Sequence, residues 1–213
     1  MMNLELPAHR SPGPLVVRYV RTTAAFERLE RDWEQLHAEA PAANVFNGWS
    51  WQSWWWRLHG GDSQLAVLVA TRGGAMIGAV PLYIRAVRHL GLPVRMLRLL
   101  GDSGSTLPDD LGPLLATADE AEVAAALAAA VLRVKTFDVA QLSNIDPRSP
   151  FSSALLAEAE AAQLRCCLET LSVSVFRPTI GAAAFRADQL YLRRTKAKVR
   201  GLAKSLFPSR SAA

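Results

Sequence analysis

Apolar positions along this chain switch between two spacings. Residues 15–20 form a short apolar run of strand length. From Thr22 or Thr23 onward, Phe26, Leu29, Trp33 and Leu36 recur at helical spacing, which predicts a capped helix ending near Pro41. A second helix is expected from about Trp49 to the Gly60-Gly61 pair. The apolar run 65–70, the turn residues Thr71-Arg72-Gly73-Gly74 and the run 76–84 read as a β-hairpin. Pro81 has no N–H for a strand ladder, so a bulge or a sheet edge is expected there. A turn at Gly91-Leu92-Pro93 leads to a third strand over 94–100, and 101–113 reads as loop.

Thr117-Ala118-Asp119-Glu120 matches a capping box and predicts a helix over 118–134. A strand over 137–142 follows. Ser149 then supplies an N-cap and Pro150 the first helical position of a helix running to about Ala162. A strand over 166–176 and a basic amphipathic helix over 185–213 complete the prediction, the helix with Leu192, Val199, Leu202, Ala203 and Leu206 on one face. The order β-α-α-β-β-β-α-β-α-β predicts an α/β fold with a mixed, mostly antiparallel sheet flanked by helices. Residues 1–14 read as a flexible leader, 15–180 as the domain, and 185–213 as the basic helix and tail.

Bulk properties narrow this picture. A length of 213 residues suits one domain, and an apolar half with a charged fifth excludes disordered and collagen-like chains. The formal charge of +5 is unevenly placed. Residues 186–213 carry Arg186, Arg193, Arg194, Lys196, Lys198, Arg200, Lys204 and Arg210 against Asp188 alone, a local +7 that leaves −2 for the rest. Contact with an anionic membrane surface is therefore to be sought at the tail, which lacks the interleaved aromatics of a single-strand nucleic-acid binder. Pro7, Pro12 and Pro14 break the leader, which has no apolar segment like that of a secretory signal. Residues 121–134 fall short of the ~20 apolar positions a bilayer span needs. The adjacent Cys166 and Cys167 and the scattered His9, His37, His59 and His89 give no metal-ligand spacing. A cytoplasmic protein without a metal is expected.

Particular residues then point to a family. The segments Trp33-Glu34-Gln35-Leu36, Val45-Phe46-Asn47-Gly48-Trp49-Ser50-Trp51, Trp54-Trp55-Trp56, Gly78-Ala79-Val80-Pro81-Leu82 and Leu99-Leu100-Gly101-Asp102 resemble the first half of the bacterial CelD-like acetyltransferases. That family is related to the FemAB-type transferases and, through the order of elements, to the GNAT superfamily. The resemblance implies an acyltransferase that moves an acyl group from acetyl-CoA or another acyl-CoA, as co-substrate, to an amine or hydroxyl of a small-molecule or saccharide acceptor. It implies a setting in cellulose, exopolysaccharide or envelope synthesis. It also implies a second GNAT-like domain or an equivalent partner, such as a second copy, because 191–200 resembles the family's basic junction between two such domains. A catalytically degenerate half, acting as a binding or scaffolding module, is the alternative.

Site candidates follow from the same likeness. GNAT enzymes hold the CoA pyrophosphate on a Gln/Arg-x-x-Gly-x-Gly/Ala loop, and Arg98-Leu99-Leu100-Gly101-Asp102-Ser103 begins that pattern, with Gly104 one place late. Arg98, Gly101 and Gly104 are thus candidates for the CoA phosphates. Asn144, at the end of the 137–142 strand, is the candidate for the pantetheine arm or the acyl carbonyl. All six tryptophans lie between 33 and 56. Helical spacing puts Trp51, Trp54, Trp55 and Leu58 on one face and Trp49 and Trp56 on the nearly opposite one. Trp49 and Trp56 are accordingly candidates for substrate contact, with core packing as the competing role. No catalytic residue is assigned.

Overall fold

In the computed structural model the described residues are 13–102, 108, 110–116, 120–176 and 183–193, with 167–176 and 183–193 described by backbone alone. Strand β1 (Leu15–Val20) leads into α1 (Thr23–Glu27) and α2 (Glu30–Glu39). Thr22 caps α1 by accepting from the Ala25 N–H at 3.2 Å. The single helix expected here is two, but its inward face is as the spacing predicts, with Phe26, Leu29, Trp33 and Leu36 all buried. Helix α3 (Trp49–His59) stops at Gly60.

Strands β2 (Gln64–Leu65), β3 (Val67–Arg72), β4 (Ala75–Val80), β5 (Leu82–His89) and β6 (Leu92–Leu99) follow. The β3–β4 hairpin closes on Gly73 and Gly74, both at positive φ (56° and 84°), which a two-residue turn of this hand requires. Pro81 marks a larger event than a bulge. Here the chain passes from a four-stranded sheet, order β1-β3-β4-β7 with β7 at Leu114–Leu115, to a six-stranded one, order β2-β5-β6-β8-β10-β9 with β8 at Val139–Ile145, β9 at Arg165–Phe176 and β10 at Ala183–Arg193. Without an N–H, Pro81 can sit where two ladders part, while its carbonyl accepts from the Leu100 N–H at 2.8 Å.

Strand β7 (Leu114–Leu115) pairs with β4, and α4 (Glu120–Arg133) starts soon after it. Strand β8 (Val139–Ile145), helix α5 (Pro150–Ala161) and the antiparallel strands β9 (Arg165–Phe176) and β10 (Ala183–Arg193) complete the described chain. Ser149 caps α5 with Pro150 at its start, as the dipeptide predicts. Among the described residues every pairing is antiparallel except β6 with β8. Helices flank the sheets, and one large core joins α2, α3, α4 and α5 to the strands between them.

One expectation is corrected. Residues 185–193 are strand, pairing with both β8 and β9, so the basic helix does not begin at 185. The local alternation Phe185-Arg186-Ala187-Asp188 fits a pleated strand, and a register shift follows between Ala187 and Asp188. Residues 194–213 and the leader 1–12 lie outside the described residues. Among the described residues, no helix is long and apolar enough to cross a membrane.

Candidate functional site

The parallel pair β6/β8 is the geometric feature on which a site can be built. At its closed end Arg95 grips Asp138: Nε donates to Oδ2 at 3.1 Å, a guanidinium N–H to Oδ1 at 2.8 Å, and the Arg95 backbone N–H to Oδ2 at 3.0 Å. The ladder then registers Met96 with Val139 and Leu97 with Ala140, and goes no further. Beyond it a side-chain bridge takes over, Arg98 donating to Gln141 Oε1 at 2.8 Å. Parting strands leave backbone groups without a neighbour, and such groups must find partners. The returning segment 110–116 supplies one, since the Leu111 N–H donates to the Asn144 carbonyl at 2.7 Å.

This geometry relocates the expected phosphate loop. Gly101, at φ 101°, does not turn the strand into a helix. Between Gly101 and α4 the chain contributes β7 to the four-stranded sheet. A Cβ on Gly101 would lie 2.5 Å from Leu111 Cδ2 and 3.3 Å from Trp51 Nε1, so the lack of a side chain serves close packing there. Arg98 is turned inward, with Nε 4.0 Å from Asp102 Oδ2. Gly104 lies outside the described residues.

Asn144 is buried and holds a left-handed backbone (φ 57°), which asparagine tolerates better than most residues. Among the described residues its Nδ2 has no hydrogen-bond partner. A buried donor left unpaired costs about 1–3 kcal/mol, so Asn144 keeps hydrogen-bonding capacity in hand, as does Arg98 through its buried Nε.

The tryptophan faces differ from the helical-wheel expectation. Trp49, Gln52, Ser53 and Trp55 are buried, whereas Trp54 and Leu58 are exposed. Trp49 sits against Phe26 (centroids 4.8 Å apart) and Trp33 (6.0 Å), a core position with no ring face for a ligand. Trp56 is half-buried and donates its indole N–H to Thr23 Oγ1 at 3.1 Å. Gln52 is buried with its amide donating to the Phe46 carbonyl at 2.7 Å and reaching the Leu100 carbonyl at 3.4 Å. His37 is a loop anchor bonded to the Asn44 carbonyl, and His59 packs against the Trp55 ring.

Groups that sequence reasoning passed over converge at the open end of the strand pair. A cavity of about 280 Å³ is lined by Asp110, Gly112, Leu115, Glu120, Asp146, Arg148 and Ser149, with Pro41 and Ala42 on the α2–α3 loop. It touches the first residue of α4 and the cap of α5. Burial pushes the Asp110 carboxyl up; the Gly112 N–H, donating at 2.8 Å, opposes this, and Asp146 adds to it. Asp146 accepts from Arg148 Nε at 3.2 Å. Tyr83 is also fully buried, donating its hydroxyl to the Asp102 carbonyl at 2.6 Å, and burial raises its phenol further. The Asp110 signal lay in its neighbours, since Asp-x-Gly is a turn in which the carboxylate accepts from the backbone two residues on. Nothing in the sequence marked Tyr83.

Coenzyme A can be tested against these residues. Its amide-rich arm fits the parting strands, where Asn144 keeps a free donor. Its phosphates fit poorly among the described residues. The first turn of α4 carries Glu120 and Glu122, and Asp110 and Asp146 line the adjoining cavity, with Arg148 already paired to Asp146. Those glutamates complement the positive end of the helix, the place an anion would otherwise take.

Together the fold and its site define an α/β protein of mixed, mostly antiparallel sheet, flanked by helices and opened between two parallel strands. Its structural neighbours are acetyltransferases. The chain is similar to the diaminobutyrate acetyltransferase EctA of Paenibacillus lautus (12% identity, 85% of this chain and 95% of that chain, TM-score 0.46). It is similar to the ribosomal-protein-alanine N-acetyltransferase of Brucella melitensis (16%, 85% and 99%, TM-score 0.41). A GNAT-family acetyltransferase of Streptococcus pneumoniae is also similar (10%, 84% and 99%, TM-score 0.43). No protein-family model and no curated protein sequence matches the chain.

Proposed function

We propose that this chain is a GNAT-type acyltransferase domain of the CelD/FemAB kind, acting in the cytoplasm on an amine or hydroxyl acceptor in polysaccharide or envelope synthesis. The observation that carries this reading is the parting of β6 and β8 after Leu97 and Ala140, with the unpaired Asn144 amide at the open end. An acyl-CoA bound there would supply an activated thioester. The chain's own part is to place the reactants, which in direct acyl transfer provides much of the rate. Asn144 Nδ2 is suited to orient an acyl or amide carbonyl. Asp110 and Asp146 are suited to hold a cationic amine, and a cation between them would draw the Asp110 carboxyl back toward its ionised form.

A second reading has its own support. Leu111 already occupies the Asn144 carbonyl, and α4 begins with acidic residues. These favour a degenerate half that binds or scaffolds and is completed by a second GNAT-like domain or a second copy. Calorimetry with acetyl-CoA separates the two. Saturable heat, weakened in Asn144→Ala, supports transfer; no heat and no thermal shift at millimolar acetyl-CoA supports the binding half.

A further inference from the structure

A second cavity lies at the opposite end of α4 from the acidic one, and its chemistry is the reverse. About 340 Å³ in volume, it is walled by Val17, Leu68, Ala130 and Val134 and edged by Arg18, Arg21, Arg133 and Lys135. No carboxylate lines it, and among the described residues no ion pair joins any of the four cations. Two further lining residues, Tyr19 and Thr136, hold buried hydroxyls without a hydrogen-bond partner. Arg21 is drawn to the same place, its Cζ 5.5 Å from the centre of the Tyr19 ring.

The negative end of α4 accounts for one cation there, Arg133 in its last turn. It does not account for Arg18 or for Arg21 just past the end of β1, nor for two hydroxyls buried without partners. An apolar hollow of a few hundred Å³ with convergent polar groups is the usual form of a small-ligand site. Arginine is the side chain best suited to a carboxylate or phosphate, because its planar fork offers paired N–H donors.

We propose that this hollow binds an oxyanion carried on an apolar body, the head group held by Arg21, Arg133 and Lys135 and the body lying on Val17, Leu68 and Val134. The site is separate from the acyl-transfer reading and stands or falls without it.

Octyl phosphate is a suitable probe, titrated into the full chain at constant ionic strength and followed by calorimetry. Saturable one-site binding is expected, at least ten-fold weaker in Arg21→Gln/Arg133→Gln. The charge-matched control Arg57→Gln/Arg88→Gln, which alters exposed cations elsewhere, should bind like the parent. Circular dichroism and thermal melting show that each variant is folded. Inorganic phosphate should compete weakly and 1-octanol should not bind. Vesicles of phosphatidylcholine with and without phosphatidylglycerol distinguish the source of the anion. Binding that depends on phosphatidylglycerol and on Arg21 and Arg133 assigns it to a lipid, and binding of octyl phosphate alone assigns it to a soluble ligand. The proposal is overturned by absence of saturable binding, by equal loss in both double variants, or by octanol binding as well as octyl phosphate.

Discussion

Replacing Gly101 with alanine separates its role in packing from a role in holding a ligand. Two costs are expected in the free protein. At φ 101° an L-residue is strained by about 1–2 kcal/mol. The new Cβ would also lie 2.5 Å from Leu111 Cδ2, inside a fully buried contact, and overpacking of this kind costs about 1–3 kcal/mol. Gly101→Ala should therefore lower the unfolding free energy by about 2–5 kcal/mol in urea titrations. Leu111→Val removes both Cδ atoms near the new methyl and should itself cost about 1 kcal/mol, as the loss of one buried methylene does. In that background the clash with Leu111 disappears, leaving the backbone strain and a 3.3 Å approach to Trp51 Nε1 that a shift of a few tenths of an ångström relieves, so Gly101→Ala should then cost about 1–2 kcal/mol. The cycle thus predicts a coupling of about 1–3 kcal/mol, well above the ~0.5 kcal/mol within which independent sites add. An equal cost of Gly101→Ala in both backgrounds would refute the packing argument. It would return Gly101 to the ligand loop that its sequence pattern resembles.

Two further expectations follow from the site. Trp49→Ala should destabilise by about 3–5 kcal/mol and Trp56→Ala by about 1 kcal/mol, measured as denaturant midpoints, since only the first ring is enclosed by Phe26 and Trp33. A Trp49→Ala protein as stable as the parent contradicts the core placement. At Asp110 the folded protein holds the carboxyl above its unfolded value. The stability this contributes is fully present below the unfolded pKa and is lost as pH rises through the folded one. Asp110→Asn keeps an Oδ1 for the Gly112 N–H and removes the charge. Its melting temperature should exceed the parent's at pH 7, with the gap closing toward pH 3. A gap that stays constant with pH, or a variant less stable at pH 7, rules out burial of an unpaired carboxylate.

The contrast between what was legible in the sequence and what was not lies in the range of the forces involved. Local chemistry was readable. The Thr22 and Ser149 caps, the Gly73-Gly74 turn and the inward face of α2 depend on neighbours within a few residues, so composition and spacing report them directly. The candidate site depends on partners ten to nearly fifty residues away. The burial of Gln52 follows only once the Leu100 carbonyl, 48 residues on, is placed beside it. Arg98 reads as a phosphate ligand until Gln141, 43 residues on, is seen to hold one of its terminal nitrogens. Gly101 begins a familiar loop pattern, yet the contact that demands a glycine is with Leu111 on the returning segment.

The same logic separates Asn144 from Trp49. Phe26 and Trp33 enclose the Trp49 ring, whereas the Leu111 amide takes only the Asn144 carbonyl and leaves its side-chain donor unspent. A strand pair that parts must satisfy its loosened backbone groups somehow. Here a looped-out segment does so from within the chain. Acyl transfer at this place therefore needs a donor that either fits beside that segment or displaces it, and the acidic start of α4 sets the charge such a donor must tolerate.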